Sequence, residues 1–239
     1  MTSQALPSQD HGIHPESLDR MQRWFGLIVI APALILPIYQ QFLHGGRDAA
    51  SIAPRADAYL AAHILGATCS ALLLFGLIAI YLKHAAMVGK LGLTALVVAV
   101  FGQAAWAGGL LVDGTFNSLL ALYDPALQTN VHSGSPQRVS ASSDMVGGLL
   151  ATFELLFAVN ILTYLAGYLM IGAMIVRTGI MPRWIGVLLV AGAPLVATSL
   201  ITPPWAESLG YAALGAAFAW AGFLLWKPKP TRQGRTQAF

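Results

Sequence analysis

Three side chains in this sequence are of types that move protons, and each stands beside or within an apolar run. Glu154 lies inside the run 144–177, Asp113 lies inside 91–123, and His63 lies near the start of another run. A charged group within a membrane-length apolar segment is costly, and it marks a candidate functional site. Carboxylates and histidine are also the usual general acids and bases. We therefore predict Glu154, Asp113 and His63 as candidate catalytic residues.

The depth of these residues follows from their distance to the basic residue at the opposite end of the same helix. At 1.5 Å per residue, Glu154 and Asp113 lie about 34 Å along the helix from that basic residue, and His63 lies about 30 Å from it. His44 and Glu207 fall at about 30 Å as well. The alternative to a functional site is that polar side chains lie at this depth because the hydrocarbon core of the membrane ends there. For His44 and Glu207 we expect this alternative, with both side chains exposed at the membrane surface.

Helical phase places further polar and aromatic residues on the same faces as the candidate acids. At 100° per residue, the side chains that share a face with Asp113 fall within an arc of about 80°. A second face, containing Glu154, spans about 120°. We predict that both faces line a common pocket, although polar groups that bridge packed helices are the alternative. The predicted pocket residues are Gln103, Trp106, Asn117 and Tyr164.

The composition is that of an integral membrane protein. Of 239 residues, 56% are hydrophobic and only 10% are charged, and the mean hydropathy is +0.67. Soluble domains carry about 25% charged residues. The basic residues lie at helix ends and not on a patch interleaved with aromatics, so we predict no nucleic-acid partner. Cys69 is the single cysteine, and its apolar surroundings favour buried packing.

The apolar runs predict an all-α fold of six transmembrane helices in one bundle. A polar segment, 1–22, precedes the membrane domain, 23–226, and a basic tail, 227–239, follows it. Pro15 suits the first position of a helix that leads into the membrane. His84 lies in a basic turn, 83–90, where we expect it to be solvated. The predicted helices are about 24–43, 59–82, 91–112 or longer, 145–177, 184–201 and 207–226.

The distribution of lysine and arginine predicts the orientation of the bundle. Ten of the thirteen lie on the side of the two termini, and three lie on the other side. Cytoplasmic loops carry the excess of positive charge. We therefore predict that both termini are cytoplasmic, that the loop 124–143 is external, and that the chain is a multi-pass protein of the inner, or plasma, membrane.

A short turn before the fifth predicted helix carries a family resemblance. The sequence GIMPRWIGVL at 179–188 contains Gly179, Pro182, Trp184 and Gly186 in a Gly-x-x-Pro-x-Trp-x-Gly pattern. This pattern resembles that of small six-helix bacterial membrane proteins that share a domain of unknown function. The resemblance implies a bacterial inner-membrane protein, and it implies no catalytic residues.

Three functions remain open at this point. The leading one is a pocket in the outer leaflet for an apolar or lipid-like ligand. The second is a membrane enzyme that acts on a lipid or isoprenoid through a carboxylate acid/base. The third is an accessory subunit, or a homo-oligomer, that packs on a membrane partner through small residues of helices five and six. We predict no metal and no cofactor. Glu154, Asp113 and His63 are residue types that bind zinc, but three such residues often occur together by chance, so their presence alone does not indicate a zinc site. The small residues that favour a partner are Gly186, Gly192, Gly210, Gly215 and Gly222.

Overall fold

The computed structural model describes residues 15–40, 49–126, 128, 144–198 and 203–227, with the backbone alone at 15, 144–154 and 204. These residues are helical and contain no strand, so the prediction of an all-α fold is confirmed for the part described. The elements, in chain order, are α1 (Pro15–Ile38), α2 (Ala49–Ile52), a 3-10 turn (Ala53–Arg55), α3 (Ala56–Tyr123), α4 (Asp144–Thr178), α5 (Arg183–Ala197) and α6 (Pro204–Trp226).

Four helical stretches are long and apolar enough to cross a membrane. They lie at Glu16–Ile38, Ala49–Tyr123, Leu155–Thr178 and Trp205–Trp226. Helix α5 is apolar too, but its 15 residues make it shorter than the roughly 20 that a bilayer core requires. Length and composition therefore support a protein with transmembrane helices.

Helix α3 is folded back on itself at one residue. A straight helix of 68 residues would be about 100 Å long, three times the bilayer core. Gly89 interrupts it with φ 52° and ψ −145°, a conformation that glycine adopts and L residues avoid. The sequence predicted a basic turn here between two helices, and the structure reduces that turn to Gly89. The two halves are called the first arm (56–88) and the second arm (90–123).

Contacts between the arms show that they run antiparallel. Near the middle of the bundle, Gln103 Nε2 donates to Ser70 O at 2.8 Å. Farther from the turn, the Ser118 hydroxyl donates to Ala56 O at 3.2 Å. Because the distance from Gly89 increases along both arms from one pair to the next, the arms form a helical hairpin.

The helices close into a ring. The first arm packs on α1, and the second arm packs on α4. Helix α5 packs on both α4 and α6, and α6 returns to α1. Aromatic side chains fill the interior, where the rings of Tyr168 on α4 and Phe218 on α6 meet edge to face with centroids 6.0 Å apart. The first and last helices thus complete one bundle.

Close backbone approach sets the contact between the second arm and α4. A Cβ on Gly102 would lie 2.5 Å from Tyr164 N, and a Cβ on Gly167 would lie 2.3 Å from Ala99 Cα. Neither backbone can yield as a flexible side chain would, so both positions require glycine. Small residues that bring helices together in this way are typical of membrane bundles.

The glycines that the sequence suggested for a membrane partner are used inside this chain. A Cβ on Gly186 would meet Gly172 O at 2.4 Å, and a Cβ on Gly222 would meet Gly26 O at 2.6 Å. Gly192, Gly210 and Gly215 likewise face neighbouring helices of the same bundle. Their presence therefore gives no support to an external partner, and the partner itself stays a prediction.

The turn that carries the family resemblance has a simple structural basis. Gly179 adopts φ 63°, and its N–H bonds Ile175 O at 3.1 Å, which is the usual left-handed end of a helix. Pro182 precedes α5 in an extended conformation. Trp184 then lies against Trp220 of α6, with ring centroids 5.8 Å apart. The motif thus ends one helix, starts the next and joins α5 to α6.

Several helix bounds differ from those read from the sequence. Helix α1 begins at Pro15, as the proline suggested, and α5 ends at Ala197, four residues earlier than predicted. Helix α6 begins at Pro204, three residues earlier than predicted, because proline suits the first position of a helix. Residues 1–14 and 228–239, which hold most of the predicted tails, lie outside the described residues.

Candidate functional site

His63 and Asp113 meet at the end of the hairpin that lies opposite Gly89. His63 Nε2 lies 3.0 Å from Asp113 Oδ2. The imidazole is fully buried, whereas the Asp113 side chain is 39% exposed. A Cβ on Gly114 would lie 2.3 Å from His63 Cβ, so this glycine makes room for the histidine beside the carboxylate. The structure thus brings together two of the three candidate catalytic residues, and a meeting with Glu154 stays a prediction.

Both ring nitrogens of His63 face oxygen atoms at hydrogen-bond distance. Nδ1 lies 2.8 Å from the carbonyl oxygen of Tyr59. A carbonyl only accepts, so Nδ1 must carry a hydrogen. Nε2 faces a carboxylate oxygen, and a hydrogen bond there needs a proton on one side or the other. A hydrogen bond at each ring nitrogen therefore requires one proton on Nδ1 and another between Nε2 and Asp113 Oδ2.

Two further donors fix the Asp113 carboxylate. The Tyr59 hydroxyl donates to Oδ2 at 3.4 Å, and Asn117 Nδ2 donates to Oδ1 at 2.6 Å. The Tyr59 ring also lies on the His63 ring, with centroids 4.1 Å apart. Asn117 is four residues after Asp113 and therefore lies on the same helix face. The carboxylate is thus held by residues from both arms.

A second polar layer lies deeper in the bundle and is satisfied by protein groups. Tyr168 donates its hydroxyl hydrogen to Gln103 Oε1 at 2.6 Å. Trp106 Nε1 donates to the Tyr211 hydroxyl of α6 at 3.3 Å. Tyr164 lies between Trp106 and Tyr168, with ring centroids 4.9 and 4.6 Å away. All five side chains are buried, so the predicted faces do turn inward.

The predicted pocket residues therefore differ in what they contact. Gln103, Trp106 and Tyr164 pack against other helices, which is the bridging role left open by the sequence. Asn117 is the one of the four that touches the His63–Asp113 pair. A ligand-lining role for these residues stays a prediction. Glu154 lies in the helical backbone of α4, and its side chain lies outside the described residues, as does His44.

Sequence reasoning missed Glu207 and Tyr39. We expected Glu207 at an exposed interface, but it is only 5% exposed. Tyr39 follows α1, is fully buried, and lies near Tyr211, Asp113 and Glu207. The spacing of Glu207 and Tyr211, four residues apart on α6, was the available signal, because it puts both side chains on one face.

Two other expectations concern residues away from this pair. His84 is fully buried, and its Nδ1 lies 2.7 Å from Ile80 O. The expectation that it is solvated is wrong, because the turn is so short that helix packing covers it. Cys69 is buried, as predicted. Among the side chains described, no group of three His, Cys, Asp or Glu is arranged to hold a metal ion.

The chain matches no protein-family model, no curated protein and no solved structure. The resemblance at 179–188 therefore stays a prediction. The described residues that are best placed to carry a function lie at the end of the hairpin opposite Gly89. They are His63 and Asp113, with Tyr59 and Asn117 as hydrogen-bond partners of the carboxylate.

Proposed function

We propose that this chain is a bacterial inner-membrane protein that crosses the bilayer six times, with both termini in the cytoplasm. Five helical rods of membrane-spanning length support this topology: α1, the two arms of α3, α4 and α6. We assign the sixth crossing to α5, whose 15 described residues are apolar but shorter than a full span. The ten-to-three distribution of basic residues supports the orientation. In this orientation Gly89 lies near the cytoplasmic surface, and the His63–Asp113 pair lies in the outer half of the bundle.

Within this bundle, the proposed function is to bind a lipid-like ligand at the outer end of the hairpin. One observation carries the proposal: Asp113 is half-exposed, while its hydrogen-bond partner His63 is fully buried. A fixed carboxylate that is partly exposed can receive the polar head of a ligand. The apolar surface of the neighbouring helices would accommodate a hydrocarbon tail, since pockets combine apolar walls with few polar groups.

Mass spectrometry of the purified protein tests this function. We expect a stoichiometric lipid-like molecule in the wild type and its loss from Asp113→Asn, which keeps the shape but removes the charge. Asp57→Asn is the matched control, because Asp57 is an exposed carboxylate at the same end of the bundle. Equal ligand content in the wild type and in Asp113→Asn would refute a binding role for the carboxylate.

A second candidate function is catalysis on a lipid or isoprenoid. The contact between His63 Nε2 and Asp113 Oδ2 favours it, because a general acid/base needs a partner that holds it at a defined position. Asp113 would exchange a proton with the substrate on its exposed side, and His63 would stabilise the resulting charge. Glu154 is kept as a candidate in the same reaction. Recovery of a chemically altered lipid, in place of the intact one, would favour the enzyme over the binding protein.

A further inference from the structure

Four exposed aromatic side chains form a continuous row on α5 and α6, which we call the aromatic ladder. The ring of Trp184, at the start of α5, lies 5.8 Å from the ring of Trp220 on α6, measured between centroids. On the same measure, Phe223 lies 5.5 Å from Trp220, and Trp226 lies 6.4 Å from Phe223. The four side chains are between 38% and 45% exposed. Each ring thus packs on the next while the ladder stays open on its outer side.

A basic residue stands at each end of the aromatic ladder. Arg183 begins α5, Lys227 directly follows α6, and both side chains are exposed. Lys227 comes seven residues after Trp220, a spacing that places both on one face of the helix. Within their described bounds, α5 has no carboxylate, and Glu207 of α6 stands in the first turn, at the opposite end of that helix. The charge that these two helices place beside the ladder is therefore positive.

The aromatic ladder lies at a level where a bilayer has its head groups. Helix α1 approaches α6 closely at Gly26 with Gly222, and again at Ala33 with Gly215. The two helices therefore run antiparallel, and Lys227 lies beside the start of α1. Tryptophan rings collect where the hydrocarbon core meets the head groups, and lysine and arginine near helix ends extend toward those head groups. In the proposed topology this level belongs to the cytoplasmic leaflet.

We propose that the aromatic ladder, together with Arg183 and Lys227, binds an anionic phospholipid. The rings pack against the glycerol and the upper acyl chains, and the two cations attract the phosphate. A zwitterionic phospholipid carries its own ammonium group, which the cations repel, so a net negative charge distinguishes the ligand. This surface is separate from the His63–Asp113 pair, because α6 begins on the side of that pair, at Glu207, and carries the ladder at its other end.

Native mass spectrometry of the full chain in non-ionic detergent tests this proposal. The probes are dioleoylphosphatidylglycerol, which is anionic, and dioleoylphosphatidylcholine, which has the same acyl chains and a zwitterionic head. At about 0.15 M salt, charges farther away than about 8 Å are largely screened, so the comparison reports cations close to the head group. A basic residue near an anionic head group changes the affinity about fivefold. With two such residues, we expect the wild type to bind phosphatidylglycerol at least about tenfold more tightly than phosphatidylcholine.

Matched variants separate the charge from the rings. Lys227→Gln should weaken phosphatidylglycerol about fivefold and leave phosphatidylcholine unchanged. Its control is Lys90→Gln, which should change neither lipid, because Lys90 is an exposed lysine of the second arm and α3 makes no described contact with α5. Trp220→Leu should weaken phosphatidylglycerol at least about twofold, the lower end of what an aromatic contact is worth. Trp205→Leu, an exposed tryptophan at the other end of α6, should change nothing.

Three results would overturn the proposal. One is equal binding of the two lipids by the wild type, a comparison that needs no variant and holds even if Trp220→Leu does not fold. Another is an equal effect of Lys227→Gln and Lys90→Gln, because the attraction would then come from the end of the bundle as a whole. The third is a dimer of the chain that is lost in Trp220→Leu without any preference for phosphatidylglycerol, because a second copy would then cover the ladder. None of these results bears on a ligand that depends on Asp113.

Discussion

Replacing Gly89 with alanine tests whether one residue reverses α3. Gly89 has φ 52° and ψ −145°, and a Cβ there would meet no atom within 4 Å. The substitution therefore changes backbone conformation without a collision. Holding a residue with a Cβ in such a sparsely populated region costs about 1–3 kcal/mol. We expect Gly89→Ala to lower the free energy of unfolding by this amount.

Gly108→Ala is the matched control for this substitution. Gly108 lies in the second arm, and a Cβ there also meets nothing within 4 Å, but its backbone is helical. Alanine favours a helix over glycine by about 0.5–1 kcal/mol. The two variants should therefore move in opposite directions and differ by about 1.5–4 kcal/mol. Equilibrium unfolding in mixed micelles, followed by circular dichroism, measures the difference. Equal stability of the two variants would refute the claim that the dihedral angles of Gly89 make the reversal.

Two further predictions concern the interior and the topology. Tyr168→Phe should lower the free energy of unfolding by about 1 kcal/mol, because it removes the hydrogen-bond donor to Gln103 Oε1 inside the bundle. The control, Tyr123→Phe, changes a side chain that is 83% exposed, and it should leave the free energy of unfolding unchanged. Equal effects of the two substitutions would contradict a stabilising role for the buried hydrogen bond. A reporter that is active only outside the cytoplasm should be active when fused near Ser133 and inactive when fused at Phe239, whereas activity at Phe239 would mean that a helix has been miscounted.

The meeting of His63 and Asp113 could be predicted from the sequence because two simple regularities govern it. Rise per residue gave both side chains a similar depth, and helical phase placed Asp113 on a face with Gln103, Trp106 and Asn117. Both regularities act within a single helix. The hairpin then needed only a short turn to bring the two faces together. The sequence predicted that turn, though as eight residues and not as Gly89 alone.

The burial of Glu207 could not be predicted, because it depends on helices that are distant in the sequence. Glu207 stands in the first turn of α6, a position that is exposed when the helix is considered alone. In the bundle, α6 lies against α1 and α5, and it also contacts α3. Tyr39 enters beside it because Gly66 leaves space for the tyrosine ring, with Tyr39 Cζ 2.8 Å from where a Cβ would lie. Neither contact has a local signal.

The geometry of the candidate site depends on the length of the two arms as well as on its side chains. His63 lies 26 residues before Gly89, and Asp113 lies 24 residues after it. Each added residue in one arm would rotate the later part of that arm by about 100° and move it by 1.5 Å. A single insertion would thus turn Asp113 away from His63 while leaving the composition and hydropathy of the helix unchanged. Gly114 adds a second condition, since it must lie opposite His63 for the imidazole to fit. The position of the reversing glycine and the position of the carboxylate therefore specify the site together, and neither one specifies it alone.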